Sequence, residues 1–526
     1  MKKITLLTVS FIMIVSCGSY QQKPSKQVDI SLVDPVQFGT TITSAELKDK
    51  LYTYASDEFE GRETGEPGQK MAVNYLKNHY VNLNIASPLG GDDYFQEVPL
   101  EKQKSPDVNI KVAGTSFEKY TDFVSYGSAD TQKFNENEIV FVGYGIEDEN
   151  YSDYSNIDVK GKVVLAKEGE PKSEDGIFLV SKTTESSKWS NGRQGLTSKK
   201  DVAEKHGAKA FFILDNGMFS RYAQYYAAQD ASGKSGRISL KSTGPQMLNF
   251  LISENLAKTF YPNILEDNTP KIINTSLELE LTSKSEQLSS ENVVAYIKGS
   301  EKPNEVIVIS AHLDHEGIKD GLVYNGADDD GSGTVAVMEI AEAFKTAVDK
   351  GYTPKRTILF LHVTGEEKGL LGSRHYTDND PIFPLENTVV DLNIDMIGRV
   401  DDRHADNRNF VYLIGSDKLS TELHELSEAV NTKYTNINLD YTYNDENDKN
   451  RYYYRSDHYN FAKNNVPVIF YFNGTHDDYH KPTDTPDKIQ YDLLENRARL
   501  VFYTAWEIAN RQNRIIVDKY EVAASE

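Results

Sequence analysis

Four apolar runs dominate the second half of this chain: "NEVIVIS", "RTILFLHV", "NTVVDLNI" and "VPVIFYF". Each is rich in β-branched residues. Runs of this kind are buried on both faces, the situation of strands in a parallel sheet covered by helices. The stretches "GTVAVMEIAEAFKTAV" and "DLLENRARLVFYTAWEIANRQ" have helical periodicity and supply such covers. From "ENVVAYIKG" onward, strands and helices alternate. The expected architecture is α/β, with a mixed, mostly parallel central sheet flanked by helices. A chain of 526 residues is long enough for two or three domains, each with its own core.

The texture differs upstream. Lys2 and Lys3 precede an apolar stretch from Ile4 to Val15, too short to span a bilayer comfortably, which ends at "IVSC". This resembles a bacterial lipobox cleaved before Cys17, with lipid on its thiol; an ordinary signal peptide with an incidental cysteine is the minor alternative. Cys17 is the only cysteine, so an internal disulfide is excluded. The expected divisions are a signal peptide at 1–16, a polar tether at 17–43, and an N-terminal segment of the main domain at 44–103 with helices around Glu46–Ser56 and Gln69–Tyr80. A separate β-rich domain follows at 104–285, where no chemical constellation is evident, then a main domain at 286–516 and a tail at 517–526. The expected location is the bacterial cell envelope, lipid-anchored through Cys17 in the outer membrane. The formal net charge of −23 argues against nucleic-acid binding, which needs a basic surface.

The chemistry gathers where the four apolar runs end. The first leads to His312 and Asp314, the second to Glu366 and Glu367, the third to Asp395, and the fourth to His476 and His480. Between the first two lies "YNGADDDGSG" with Asp328, Asp329 and Asp330. Open α/β sheets bind ligands beyond the carboxyl ends of their strands. Two imidazoles and several carboxylates suit zinc. The stretch "DDDGSGTVAVME" also fits much of an EF-hand calcium loop, but a strand and a glycine-rich loop precede it rather than the required helix. In isolation "GEE" reads as an exposed acidic turn. Asp314 is expected to orient His312 by hydrogen bond. His315, His362, His375 and His476 are expected to be structural.

Taken in order, "AHLDH", "YNGADDDGSG", "TGEEKGLLGS", "NIDMIG" and "DYHKPTDTPDKI" resemble the family 28 metallopeptidases, which are two-zinc aminopeptidases and their carboxypeptidase relatives. The segment "ASDEFEGRETGEPGQKMAVNYL" looks like the N-terminal part of members that carry an inserted protease-associated domain, and "NEIVFVGYGI" with "HGAKAFFILDN" is similar to that domain. The resemblance implies two Zn²⁺ ions and peptide substrates. It implies that His312 and Asp395 bind one metal, that Glu367 and His480 bind the other, and that Asp329 bridges them. It makes Glu366 the general base and Tyr479 an oxyanion donor. Adjacent glutamates then do different jobs, because neighbouring side chains diverge. "RSDHYNF" matches a stretch near the site, where Arg455 or Asp457 would touch substrate or serve structure, and the tyrosines before it would wall a side-chain pocket. The implied activity is aminopeptidase, with carboxypeptidase or dipeptidase as alternatives. Glutaminyl cyclase and a non-catalytic binding protein are more distant ones.

Overall fold

The structure is a computed structural model that describes residues 33–127, 130–232, 236–241 and 246–520. The expected signal peptide and Cys17 lie outside the described residues.

Nine strands form the central sheet, in the order Ile238–Leu240, Phe95–Lys102, Glu286–Ile297, Arg356–Val363, Lys302–His312, Thr388–Ile394, Val468–Phe472, Phe410–Ile414 and Asn438–Asp440. The four apolar runs of the sequence are the four neighbours at its centre, and they pair in parallel. Strands flanking them on both sides join antiparallel, through Glu286–Ile297 on one and Phe410–Ile414 on the other. The strands Arg356–Val363 and Thr388–Ile394 are buried at every position, as two covered faces require. One cover consists of helices Ser44–Tyr54, Pro67–Asn82, Gly333–Asp349 and Tyr491–Asn510, whose apolar stripes merge into a single core. Thr43 caps the first of these. Its hydroxyl accepts from the Glu46 amide (3.3 Å) and donates to the Glu46 carboxylate (2.7 Å).

A second sheet of eight strands, all within residues 107–282, has its own buried clusters. Its centre is also parallel, through Val163–Lys167, Ala210–Leu214 and Leu248–Ile252. Helices Gly192–Lys205 and Asn216–Ser232 lie beside it, so this region is mixed α/β rather than simply β-rich.

Three expectations about the chain's layout need correction. Residues 34–43, expected within a tether, are partly folded: Phe38 is fully buried and stacks on Trp506, and Arg499 donates to the carbonyls of Gly39 and Ile42. Apolar Phe38 and Ile42 had a core to reach, which polar composition around them concealed. The region 104–285 is not wholly apart, because Ile238–Leu240 leaves it to pair with Phe95–Lys102 in the central sheet. Finally, the start of the expected tail is tied down: the amides of Asp518 and Lys519 both donate to the Leu419 carbonyl at 3.2 Å.

Candidate metal centre

The site forms where the central strands run out. His312 ends its strand, 1% exposed. Its Nδ1 lies 3.0 Å from the Asp314 carbonyl oxygen. A carbonyl can only accept, so Nδ1 carries the proton and Nε2 presents its lone pair to the site. That corrects the role expected of Asp314, whose carboxylate is 4.0 Å from Nδ1. It instead accepts from the Glu366 amide (3.1 Å) and the Thr64 hydroxyl (2.7 Å), and so fixes the "GEE" turn against the end of the first strand.

The three consecutive aspartates do three different things. Asp328 accepts from the Gly398 amide (2.6 Å) and meets His476 Nε2 at 3.1 Å. Asp330 accepts from the amides of Gly333 (2.9 Å), Met396 (3.0 Å) and His312 (3.2 Å). Both outer residues thus staple neighbouring loops by satisfying buried N–H groups. This spends the carboxylates an EF-hand would use for calcium, and Glu339 is paired with Lys50 instead. Gly333 must be glycine, since a Cβ there would sit 2.4 Å from Asp330 Oδ1. Only Asp329 faces the centre, and its two oxygens look opposite ways. Oδ1 lies 3.2 Å from His312 Nε2, and Oδ2 lies 3.0 Å from His480 Nε2.

Each of those histidines has a further acid. Asp395 Oδ1 is 3.6 Å from His312 Nε2, while its Oδ2 accepts from the Ser456 hydroxyl (2.7 Å). Glu367 Oε2 is 3.3 Å from His480 Nε2. The five residues implied as metal ligands are therefore assembled in one place, with Asp329 in the middle. Glu366 and Tyr479 line the same narrow cavity, of about 30 Å³, together with Asp329, Asp395 and His480. The Tyr479 ring stacks on His480 with centroids 3.9 Å apart.

Two observations bear on whether metal fits. First, His312 Nε2, Asp329 Oδ2 and Glu367 Oε1 are buried with no hydrogen-bond partner among the described residues. Such atoms are costly unless something else binds them. Second, the centre calls for positive charge. Burial opposes a charged His312, yet Asp329 and Asp395 hold its pKa well above the usual range. Burial likewise opposes ionised Glu367, but His315 and His480 bring it down to about 2. His480, against burial, is pushed up to about 10 by Asp329 and Glu367. Protons on imidazoles occupy the place cations would take, and the donor set is nitrogen and carboxylate oxygen, as zinc prefers. Three groups here hold ligand atoms within 4.8 Å of one another: His312–Asp329–Asp395, His315–Asp329–Glu367 and Glu316–Glu367–His480.

Glu366 behaves differently from its neighbour. Burial, reinforced by Glu367 and Asp395 against the pull of His312, pushes its carboxyl well above the ordinary range. The turn lets the two glutamates diverge, with Gly365 and Gly369 at φ +69° and +107° in the region open to glycine.

Sequence reading missed three residues here. His315 is fully buried, 2.9 Å from Glu367 Oε1, at the centre rather than in a structural position elsewhere. Glu316 lies 3.6 Å from His480 Nδ1. Arg62, fully buried, donates to the carbonyls of Asn325 (2.7 Å), Gly326 (2.9 Å), Leu313 (3.1 Å) and Tyr54 (3.2 Å), clamping the loops that carry His312 and Asp329. The only sequence signal was its place in "EGRETG". Of the "RSDHYNF" pair, Arg455 lines the cavity beside Tyr452 and Phe472, whereas Asp457 is buried and accepts from Ser373 at 2.5 Å. Of the expected tyrosine wall, Tyr452 alone reaches the cavity lining.

Comparison with known proteins finds the following likenesses. Over 375 residues the chain is 26% identical to a probable leucine aminopeptidase 2 of Aspergillus oryzae, a match covering 70% of this chain and 62% of that protein. A glutamate carboxypeptidase 2 homolog of Caenorhabditis elegans is 34% identical over 116 residues, 22% of this chain and 14% of that one. The chain thus matches less than two thirds of the length of these relatives. Among solved structures, the aminopeptidase from Aneurinibacillus sp. strain AM-1 aligns with 93% of this chain and 99% of its own, at 18% identity and TM-score 0.47. The zinc aminopeptidase BSAP from Bacillus subtilis aligns with 91% and 98%, at 18% identity and TM-score 0.46. Residues 292–505, the stretch that holds His312, Asp329, Glu366, Glu367, Asp395, Tyr479 and His480, match the model of peptidase family M28.

Proposed function

We propose that this chain is a zinc-dependent exopeptidase that removes N-terminal residues from peptides. One observation carries the reading: the two Asp329 oxygens face two separate histidine–acid pairs, with Glu366 lining the cavity beside them. His312 and Asp395 would hold one Zn²⁺, Glu367 and His480 the other, with Asp329 shared. Zinc bound there supplies Lewis-acid polarisation of a peptide carbonyl and a more acidic water.

The remaining work falls to the chain's own groups. Glu366 accepts the proton of the attacking water and returns it to the leaving amine, as a base–acid must. The positive charge the centre demands is also what lowers the raised Glu366 pKa into the ionised range. The Tyr479 hydroxyl donates to the developing oxyanion. Ser456 and Asp314 hold Asp395 and the Glu366 turn in place. Carboxypeptidase action draws on Arg455, a guanidinium in the cavity lining that a substrate carboxylate would suit.

The wider assignment belongs to the same proposal. The region with the second sheet is read as a protease-associated domain, and Cys17 as a lipid anchor in the cell envelope. A test uses the zinc-loaded chain from Gly18 and one peptide set, free at both ends, N-acetylated, or C-amidated, with a chelator control. Chelator-sensitive loss of N-terminal residues that acetylation blocks supports the aminopeptidase reading. Cleavage blocked only by amidation replaces it with carboxypeptidase, and a chain that binds no zinc overturns both.

A further inference from the structure

A large cavity lies away from the metal centre. It has a volume of about 1000 Å³ and sits where helix Asn216–Ser232 of the second-sheet region faces the crossovers between the two sheets. Its wall carries Tyr126, Tyr222 and Tyr226, and the guanidinium-bearing side chains Arg193, Arg221 and Arg237. The rings are packed together: Tyr126 and Tyr222 meet edge-on at 5.7 Å, and Tyr222 and Tyr226 lie 5.9 Å apart.

The charges here are uneven. The cavity's lysines have acids of their own: Lys284 meets Asp107 at 2.7 Å, Lys119 meets Asp230 at 3.4 Å, and Lys104 pairs with Glu286. None of the three arginines forms an ion pair with a carboxylate among the described residues. That is a selective omission in a chain with 80 acidic residues and a net charge of −23. Arg193 and Arg237 line the same cavity as Tyr226. The Tyr126 hydroxyl is buried with no hydrogen-bond partner among the described residues. Free guanidiniums, aromatic faces and an unspent hydroxyl form a surface for carboxylates. The overall negative charge disfavours a long polyanion such as nucleic acid.

Arg237 also connects this cavity to the chemistry. Its guanidinium lies 3.2 Å from where a Cβ on Gly369 would stand. Gly369 closes the turn that carries Glu366, donating its amide to the Glu366 carbonyl at 2.8 Å.

Resting on the peptidase reading above, we propose that this cavity is an exosite for acidic peptides. It would hold carboxylates several residues downstream of the bond cut at the metal centre, so that the preferred substrates are peptides with an acidic continuation. Specificity then comes from two places, the small cavity beside the metals and this larger one.

The test uses the full zinc-loaded chain and a double variant, Arg221→Gln with Arg237→Gln. Binding is read by calorimetry with N-acetyl-Ala-Ala-Glu-Glu-Glu-amide, its Gln-for-Glu counterpart, and N-acetyl-Ala-Ala-Ala-Ala-Ala with a free C-terminus. Hydrolysis is read as kcat/KM for Leu-Ala-Ala-Glu-Glu-Glu against Leu-Ala-Ala-Gln-Gln-Gln. We expect the Glu peptide to bind at least tenfold tighter than the Gln peptide, and the acidic substrate to be favoured at least tenfold. Both ratios should fall to near one in the variant. Tighter binding of the free-acid alanine peptide alone would show a site for chain termini and overturn the side-chain proposal. Equal binding of Glu and Gln peptides, or a preference unchanged in the variant, would also overturn it. Arg193→Gln alone, expected to lower the ratio severalfold, serves if the double variant does not fold. Acetylated peptides report on the exosite without turnover, so arginine-dependent binding with no hydrolysis would uphold the cavity and refute the peptidase reading.

Discussion

Glu366→Gln separates proton transfer from metal binding. The change is nearly isosteric and removes only the ability to accept and return a proton. Glu366 belongs to none of the three groups of converging ligand atoms, so zinc content should remain that of the parent. Without metal, burial and neighbouring acids push its carboxyl well above the ordinary range, which disfavours the charged form. A neutral amide therefore resembles the group it replaces, and melting of the chelated protein should shift little. Catalysis should suffer. A positioned general base contributes roughly 10²–10⁴-fold, and Glu366 is asked to handle the proton twice. The expected loss in kcat is about 10³-fold, or about 4 kcal/mol of barrier at 1.36 kcal/mol per decade. Turnover by chromatography and zinc per chain by emission spectrometry, on the same preparation, give both readings. A fully zinc-loaded variant within tenfold of the parent would refute the role. The neighbouring Glu367→Gln should instead lose metal.

Other consequences follow from the surroundings of the site. Asp330→Asn keeps one carbonyl oxygen where a carboxylate accepted three amides, and should weaken zinc binding about 10–100-fold by competition with a chromophoric chelator; unchanged affinity would remove its positioning role. Arg62→Met leaves four backbone carbonyls without their donor, and at about 1 kcal/mol each should cost roughly 3–4 kcal/mol in denaturant unfolding. Buried His362 and His458 are each pushed down to about 3 by desolvation. Between about pH 3 and 6.5 the unfolded chain binds protons that the folded one refuses, so this contribution is full above 6.5 and declines as pH falls. Each histidine should cost about 2 kcal/mol at pH 5, and His458→Phe should gain about that much relative to the parent between pH 7.5 and 5; a pH-independent difference would contradict the shift.

Much of this was legible because periodicity and strand ends are local signals. The four apolar runs identified the parallel centre, since burial on both faces is written in each run by itself. The ends of those runs showed where His312, Asp314, Glu366, Glu367, Asp395, His476 and His480 gather, while the resemblance to the family 28 metallopeptidases is what implied His312, Asp329, Glu367, Asp395 and His480 as the ligand set. What could not be read was pairing between distant segments. Nothing local distinguishes Asp329 from Asp328 and Asp330; only the amides of Gly398, Met396 and Gly333 show which carboxylates are already taken. Arg62 looks like a surface residue in a Gly/Pro loop until four carbonyls from three other places close around it. Likewise the arginines of the large cavity are spread over Arg193–Arg237, and their lack of acidic partners is a property of space, not of sequence.

The three-residue strand Ile238–Leu240 has a consequence for how the protein could be divided. It lies at the margin of the central sheet and pairs Leu100, Glu101 and Lys102 with Leu240, Ser239 and Ile238. Without it, Phe95–Lys102 would present open amides and carbonyls to solvent, a template on which a second molecule could add a strand. The chain between the sheets therefore cannot be cut out as a module. A shortened protein lacking residues 104–285 would retain every candidate zinc ligand, yet carry a sticky border that the intact molecule keeps closed with Ile238–Leu240.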